Sequence, residues 1–143
     1  MAQLSPRIVA KIKQIPDVAV DAARLAMEEG AQEIVDAMKK AAPVQTGDLR
    51  DSIGWTWGEV PAGSFMIDEI RSGKNKGDQY ATLRIKIYAG NREAFYARFQ
   101  EFGTRSQPAQ PFFFSTWKRE RAKFRRKIRA RVRTAIKETW ANG

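Results

Sequence analysis

The segment from about residue 112 to 140 is the feature that most constrains how this chain folds. Its apolar residues recur every three or four positions, and basic residues fill the rest of the circumference. That period predicts one long amphipathic helix, which begins near Phe112 to Ser115 and ends near Trp140. Such a helix must bury its apolar stripe against another element. The stripe consists of Phe114, Trp117, Phe124, Ile128, Val132, Ala135 and Ile136.

The same segment holds nearly all of the excess charge. From Trp117 to Gly143, eleven Lys and Arg residues stand against Glu120 and Glu138, so this part carries +9 of the net charge of +10. Several basic residues are spaced four apart, where like charges repel by about 0.2–0.5 kcal/mol per pair. We therefore expect an external reason for them. The candidate partner-facing or DNA-facing residues are Lys118, Arg119, Arg121, Lys123, Arg125, Arg126, Lys127, Arg129, Arg131 and Arg133.

A second helix is predicted near the N-terminus. Apolar residues recur at helical spacing over residues 17–42. Gly30 lies inside this pattern and costs up to about 1 kcal/mol relative to alanine. Pro43 ends the helix because it disfavours the α conformation of the residue before it. The pattern also predicts a shorter preceding helix over residues 4–14, interrupted at Pro16.

The middle of the chain is typical of strands. Residues 80–89 alternate strictly between apolar and polar, which predicts a half-buried strand. Residues 48–58 also alternate and are predicted to form a strand, whose start could instead be a helical turn. Residues 65–70 form a third candidate strand. Residues 71–78, with the sequence RSGKNKGD, have no apolar anchor and are predicted to form a mobile loop.

The order of these elements predicts the fold class. Strands that follow one another with short connections pair in antiparallel fashion. We therefore predict a single α+β domain over residues 1–143, in which a small antiparallel sheet packs against an N-terminal helix and a long C-terminal helix in two layers.

The composition removes most catalytic chemistry. The chain has no cysteine and no histidine, so disulfides, thiolate nucleophiles, Cys/His zinc sites and imidazole bases are absent. Carboxylate chemistry with Mg²⁺ stays open, but no cluster of carboxylates supports it. We expect no enzyme activity, no metal and no cofactor. No apolar run approaches the roughly 20 residues that span a bilayer, and no signal peptide is visible, so we expect a protein made and kept in a cytoplasm.

Two short stretches form the motifs of the chain. In residues 42–53, APVQTGDLRDSI, a helix-ending proline precedes a Thr–Gly turn. The need to turn the chain from a helix into a strand is enough to explain this pattern without any functional role. FYARFQEFGTRSQPAQPFFF, residues 95–114, is more specific. Phe95, Tyr96, Phe99 and Phe102 have helical spacing and are expected to bury against the sheet.

The second stretch makes two further predictions. Glu101 lies among aromatic residues, where a carboxylate needs a partner, and Arg50 or Arg105 is the candidate. Phe112, Phe113 and Phe114 are consecutive and cannot all point inward, so at least one is expected to be exposed. An exposed ring beside a proline turn is typical of a contact between subunits.

Together the two motifs resemble the tail-component family named after gene product ten of the Hong Kong 97 bacteriophage. The resemblance implies a ring protein in the neck of a long-tailed phage, and the motif residues are its candidate interface. The loop over residues 59–79 and the strongly basic last helix depart from the usual family pattern. The motif residues are Thr46, Gly47, Leu49, Arg50, Tyr96, Glu101, Phe102, Gly103, Thr104, Pro108, Pro111, Phe112 and Phe113.

The resemblance leads to a first functional hypothesis. It implies a structural virion protein of the head–tail junction, either a tail terminator or tail-completion protein or a neck connector ring. The implied partners are copies of the chain in a hexameric ring, a head-closure or connector protein and the major tail protein, with assembly in the host bacterial cytoplasm. The basic helix would line the DNA channel, dock on an acidic neighbouring ring or remain a solvated face.

The second hypothesis is a nucleic-acid-binding module that uses the basic helix. Its only support is charge. The aromatic residues Trp117, Phe124 and Trp140 interleave weakly with the basic residues and are expected on the buried stripe, so base stacking is not indicated.

Overall fold

A computed structural model describes residues 6–42, 47–71, 83–91, 97–106, 108–109 and 111–141. Helices precede and follow a group of three strands, which confirms the predicted α+β class. The elements are α1 (Pro6–Ala41), α2 (Gly47–Asp51), β1 (Gly54–Thr56), β2 (Phe65–Arg71), β3 (Arg84–Ala89), α3 (Ala97–Phe102) and α4 (Phe114–Ala141).

The sheet is antiparallel, with β3 between β1 and β2. Trp55 of β1 and Ile67 of β2 both pair with Ile87, so these three side chains share one face. Burial alternates along β3, and the strands predicted within residues 65–70 and 80–89 are confirmed where they are described. The loop predicted for residues 71–78 lies outside the described residues after position 71.

The N-terminal helix is longer than predicted. α1 runs without interruption from Pro6 to Ala41, so the predicted break at Pro16 is wrong. A proline in a helix removes one backbone hydrogen bond and costs about 3 kcal/mol, while the turns on both sides keep their own hydrogen bonds.

The segment after α1 forms a short helix before it enters the sheet as β1. Residues 47–51 form a helix and β1 covers only Gly54–Thr56, so the strand predicted for residues 48–58 is wrong in its first half, and the helical turn left open for its start is what forms. Leu49 and Ile53 are four residues apart and both buried in the core. Ser52 fixes the corner: its Oγ donates to the carbonyl of Leu49 at 2.6 Å and accepts from the N–H of Gly90 at 3.0 Å.

The two long helices pack against each other in opposite directions. Lys127 lies beside Glu33, whereas Arg131, one turn later in α4, lies beside Glu29, one turn earlier in α1. Gly30 permits the close approach, because a Cβ there would lie 2.6 Å from Cδ2 of Phe124. Gly30 therefore has a packing role in addition to its cost to helix stability.

The inner face of the sheet packs on α1 through two tryptophans. The indole Nε1 of Trp55 donates to Oε1 of Gln32 at 2.9 Å, and that of Trp57 donates to Oε1 of Glu28 at 2.8 Å. The guanidinium of Arg24 lies 5.1 Å from the centre of the Trp57 ring, within the range of a cation–π contact. α1 therefore has the sheet on one side and α4 on another.

Candidate functional site

Five phenylalanines meet where α3 ends, β2 begins and α4 begins. Phe65 is central: its ring centre lies 4.9 Å from that of Phe113, 5.8 Å from Phe102 and 6.1 Å from Phe114. Most pairs are tilted or edge-to-face, the favourable orientations for aromatic rings. We call this group the aromatic corner; its members are Phe65, Phe102, Phe112, Phe113 and Phe114.

The carboxylate of Glu101 holds the aromatic corner together. Oε2 accepts from the backbone N–H of Phe112 at 2.8 Å and of Phe113 at 2.9 Å, and Oε1 accepts from that of Phe114 at 2.9 Å. These amides open α4, where no carbonyl of the preceding turn is available to them, and the positive end of the helix dipole favours a negative charge there. Glu101 is therefore the cap of α4, although it lies in α3.

The predicted arginine partner of Glu101 is wrong. The carboxylate of Glu101 accepts hydrogen bonds from three backbone N–H groups at the start of α4, and not from Arg50 or Arg105. A carboxylate can accept several bonds from a helix N-terminus at once, so the buried charge is satisfied without a countercharge. The physical need for a partner was correctly inferred, and the identity of that partner was wrong.

The exposed ring of the aromatic corner is Phe102. Its side chain is 61% exposed, so the prediction that it buries against the sheet is wrong. Phe112 and Phe113 are fully buried and Phe114 is half-buried, so the exposed ring lies ten residues before the place where the sequence predicts it. Gly103 follows with a φ of 77°, and this left-handed turn ends α3 directly after the exposed ring.

The other motif residues differ in burial and position. Leu49 is buried, and Arg50 is half-buried with an Nε atom that has no hydrogen-bond partner among the described residues. Gly47 begins α2. Thr104, Pro108 and Pro111 are exposed along the connection to α4. Thr46 and Tyr96 lie outside the described residues, so the structure brings together only Glu101, Phe102, Phe112 and Phe113 of the predicted set.

The basic residues of α4 differ in their surroundings and form three groups. Lys127 and Arg131 face α1, where Glu29 contacts both and Glu33 contacts Lys127. Arg119 reaches Thr116 and Glu120 on its own helix. Within the ranges that the structure covers, the others have no carboxylate partner and are exposed. They are Lys118, Arg121, Lys123, Arg125, Arg126, Arg129, Arg133 and Lys137.

Two features of the site were missed at the level of sequence. Glu29 and Glu33 are four residues apart, as are Lys127 and Arg131, and this matched spacing was the available signal for the contact between the helices. Phe65 was placed in a strand but not in the aromatic corner. No local pattern indicates that contact, because it joins residues about fifty positions apart.

The described residues contain no group of three or more acidic side chains placed to hold a metal ion. No helix among them combines the length and the apolar character that crossing a membrane requires.

One comparison with known proteins gives a match. The model of the family described as "Bacteriophage HK97-gp10, putative tail-component" matches residues 7–103. This range runs from the second residue of α1 through α3 and ends directly after the exposed ring of Phe102. No curated protein and no solved structure matches the chain.

Proposed function

The chain belongs to the HK97-gp10-like family of phage tail components, and from that premise we propose that it is a structural protein of the head–tail junction. In this role it is a ring subunit that completes the tail, as a tail terminator or a neck connector, in a long-tailed phage or phage-like particle. It performs no catalysis.

The observation that carries the proposal is the exposure of Phe102. Phe102 is 61% exposed, so burying its ring in an interface would lower the free energy by removing apolar surface from water. Phe65 and Phe114 already hold the ring in place, so little side-chain entropy is lost when a partner binds. Rigid aromatic anchors of this kind dominate the energy of protein interfaces. We propose that Phe102 inserts into the neighbouring copy of the same chain.

A ring requires that contact to be heterologous and its rotation to close. When one surface patch of a subunit contacts a different patch of the next, the repeated rotation closes into a ring or continues as a filament. Sixfold closure is expected from the architecture of phage tails, with the head-closure or connector protein on one side and the major tail protein on the other. Assembly takes place in the host bacterial cytoplasm, and the finished protein resides in the virion neck.

Loss of the protein from its phage tests this role. We expect an amber mutation in its gene to yield filled heads and separate tails, and complementation with the wild-type gene to restore joined particles. Labelled protein should localise to the neck in electron micrographs of intact virions. Joined, infectious particles that form without the protein, or virions that lack it, would refute the proposal.

A further inference from the structure

The half of α4 that points away from α1 carries a continuous set of cations. At 100° per residue, Phe124 and Ile128 define the side that faces α1, and the opposite side falls on a different set of positions. We call this set the outward basic face. It consists of Lys118, Lys123, Arg126, Arg129 and Arg133, with Arg125 at its edge and Lys137 one turn further along the helix, and all of these residues are exposed.

This face has a single sign of charge. Of the two carboxylates of α4, Glu120 is half-buried beside Arg119, and Glu138 lines the groove against Ala22 and Leu25 of α1. Neither lies among the cations of the outward basic face. Arg125, Arg129 and Arg133 follow one another at a spacing of four, where like charges repel. The repulsion remains in the free subunit and falls when a polyanion binds.

The residue composition of the outward basic face favours a nucleic-acid phosphate backbone over an acidic protein as its partner. Between Lys118 and Arg133 the exposed apolar residues are Ala122 and Ala130. Protein interfaces are depleted of lysine at their centre and depend on aromatic or large aliphatic anchors, which this face lacks. Arginine is preferred for phosphates, which its planar guanidinium binds in bidentate fashion.

We propose that the outward basic face binds duplex DNA through the backbone phosphates, without reading the base sequence. The face spans sixteen residues, or about 24 Å of helix axis, along which duplex DNA carries one charge per about 1.7 Å. Trp117 is half-buried and Phe124 is buried, and the exposed aromatic ring of α4, Trp140, lies near the C-terminal end of the helix, seven residues beyond Arg133. The stretch from Lys118 to Arg133 therefore presents no exposed ring on which bases could stack, as single-strand binding requires. The inference stands on α4 alone and does not depend on the position of the protein in a particle.

Binding of fluorescently labelled duplex DNA to the full chain, followed by anisotropy over a series of salt concentrations, tests the inference. The test variant replaces Arg126, Arg129 and Arg133 with glutamine. The matched control replaces Lys40, Arg98 and Arg105, three exposed cations outside α4, with glutamine. It therefore lowers the net charge by the same amount as the test variant. Circular dichroism checks that both variants keep their helices.

We expect the test variant to bind at least about tenfold more weakly and the slope of log K against log salt to fall by about 2–3, one for each lost phosphate contact. The control should keep most of the affinity and the slope. Equal losses in the two variants would mean that only net charge matters, and would overturn the inference. Absence of DNA binding at low salt would also overturn the inference. Complete displacement of the DNA by poly-glutamate at equal charge concentration would overturn it too, because it would indicate an acidic protein as the partner.

Discussion

The carboxylate of Glu101 accepts a hydrogen bond from the backbone N–H of Phe112 at 2.8 Å, across eleven positions of sequence. The same side chain also receives the N–H groups of Phe113 and Phe114. α3 and the start of α4 are therefore joined by one buried side chain. The exposed ring of Phe102, next in sequence, is held at the end of that joint.

Replacing Glu101 with glutamine should destabilise the protein. The neutral amide has one acceptor oxygen in place of two and brings a buried NH₂ group toward N–H donors, so we expect a loss of about 2–3 kcal/mol in the free energy of unfolding. Urea unfolding measures it. Glu59→Gln, at an exposed position between β1 and β2, is the matched control and should change stability by less than about 0.5 kcal/mol. Equal effects of the two substitutions would contradict the capping role.

Gly30→Ala tests the close approach of the two long helices. Helix propensity alone would stabilise α1 by up to about 1 kcal/mol. The new Cβ would lie 2.6 Å from the ring of Phe124, so we expect a net destabilisation of about 1–3 kcal/mol instead. Thermal or urea unfolding gives the sign. Combining Gly30→Ala with Phe124→Leu should recover part of the loss, and strictly additive effects would argue against the contact.

The pairing of Glu29 with Arg131 should contribute only modestly. Nε and Nη atoms of a partly exposed arginine remain hydrated, and surface pairs are typically worth about 0.2–1 kcal/mol. A double-mutant cycle with Glu29→Gln and Arg131→Gln should give a coupling in that range that decreases with added salt. Asp21→Asn, an exposed acid on the same helix, serves as control. A coupling that does not respond to salt would show that the contact is not electrostatic.

Phe102→Ser should impair self-association without unfolding the chain. Most of the ring surface is exposed, so its removal costs the monomer little, whereas the loss of an interface anchor costs about 2 kcal/mol or more in association. Mass photometry at several concentrations should show a shift from ring to monomer. Met66→Ser, at the 38% exposed Met66 of β2, is the control and should leave the distribution unchanged. Identical distributions for wild type and Phe102→Ser would exclude Phe102 from the interface.

The sequence by itself determined the elements whose signals are local. The stripe along α4, the alternation along β3 and the concentration of charge in the last helix all follow from the period of the backbone, which any stretch of ten or twenty residues reveals. The family motifs are equally readable. These signals were sufficient for the α+β class, for the antiparallel sheet and for membership of the phage tail-component family.

Only the tertiary structure decided which residues meet. Glu101 binds three amides and not an arginine, Phe102 is exposed while Phe112 and Phe113 are buried, and Gly30 makes room for Phe124. Each of these outcomes depends on elements that are distant in sequence and compete for the same space. A local period gives the direction of a side chain relative to its own helix or strand, but the partner in that direction is fixed by the packing of the whole chain.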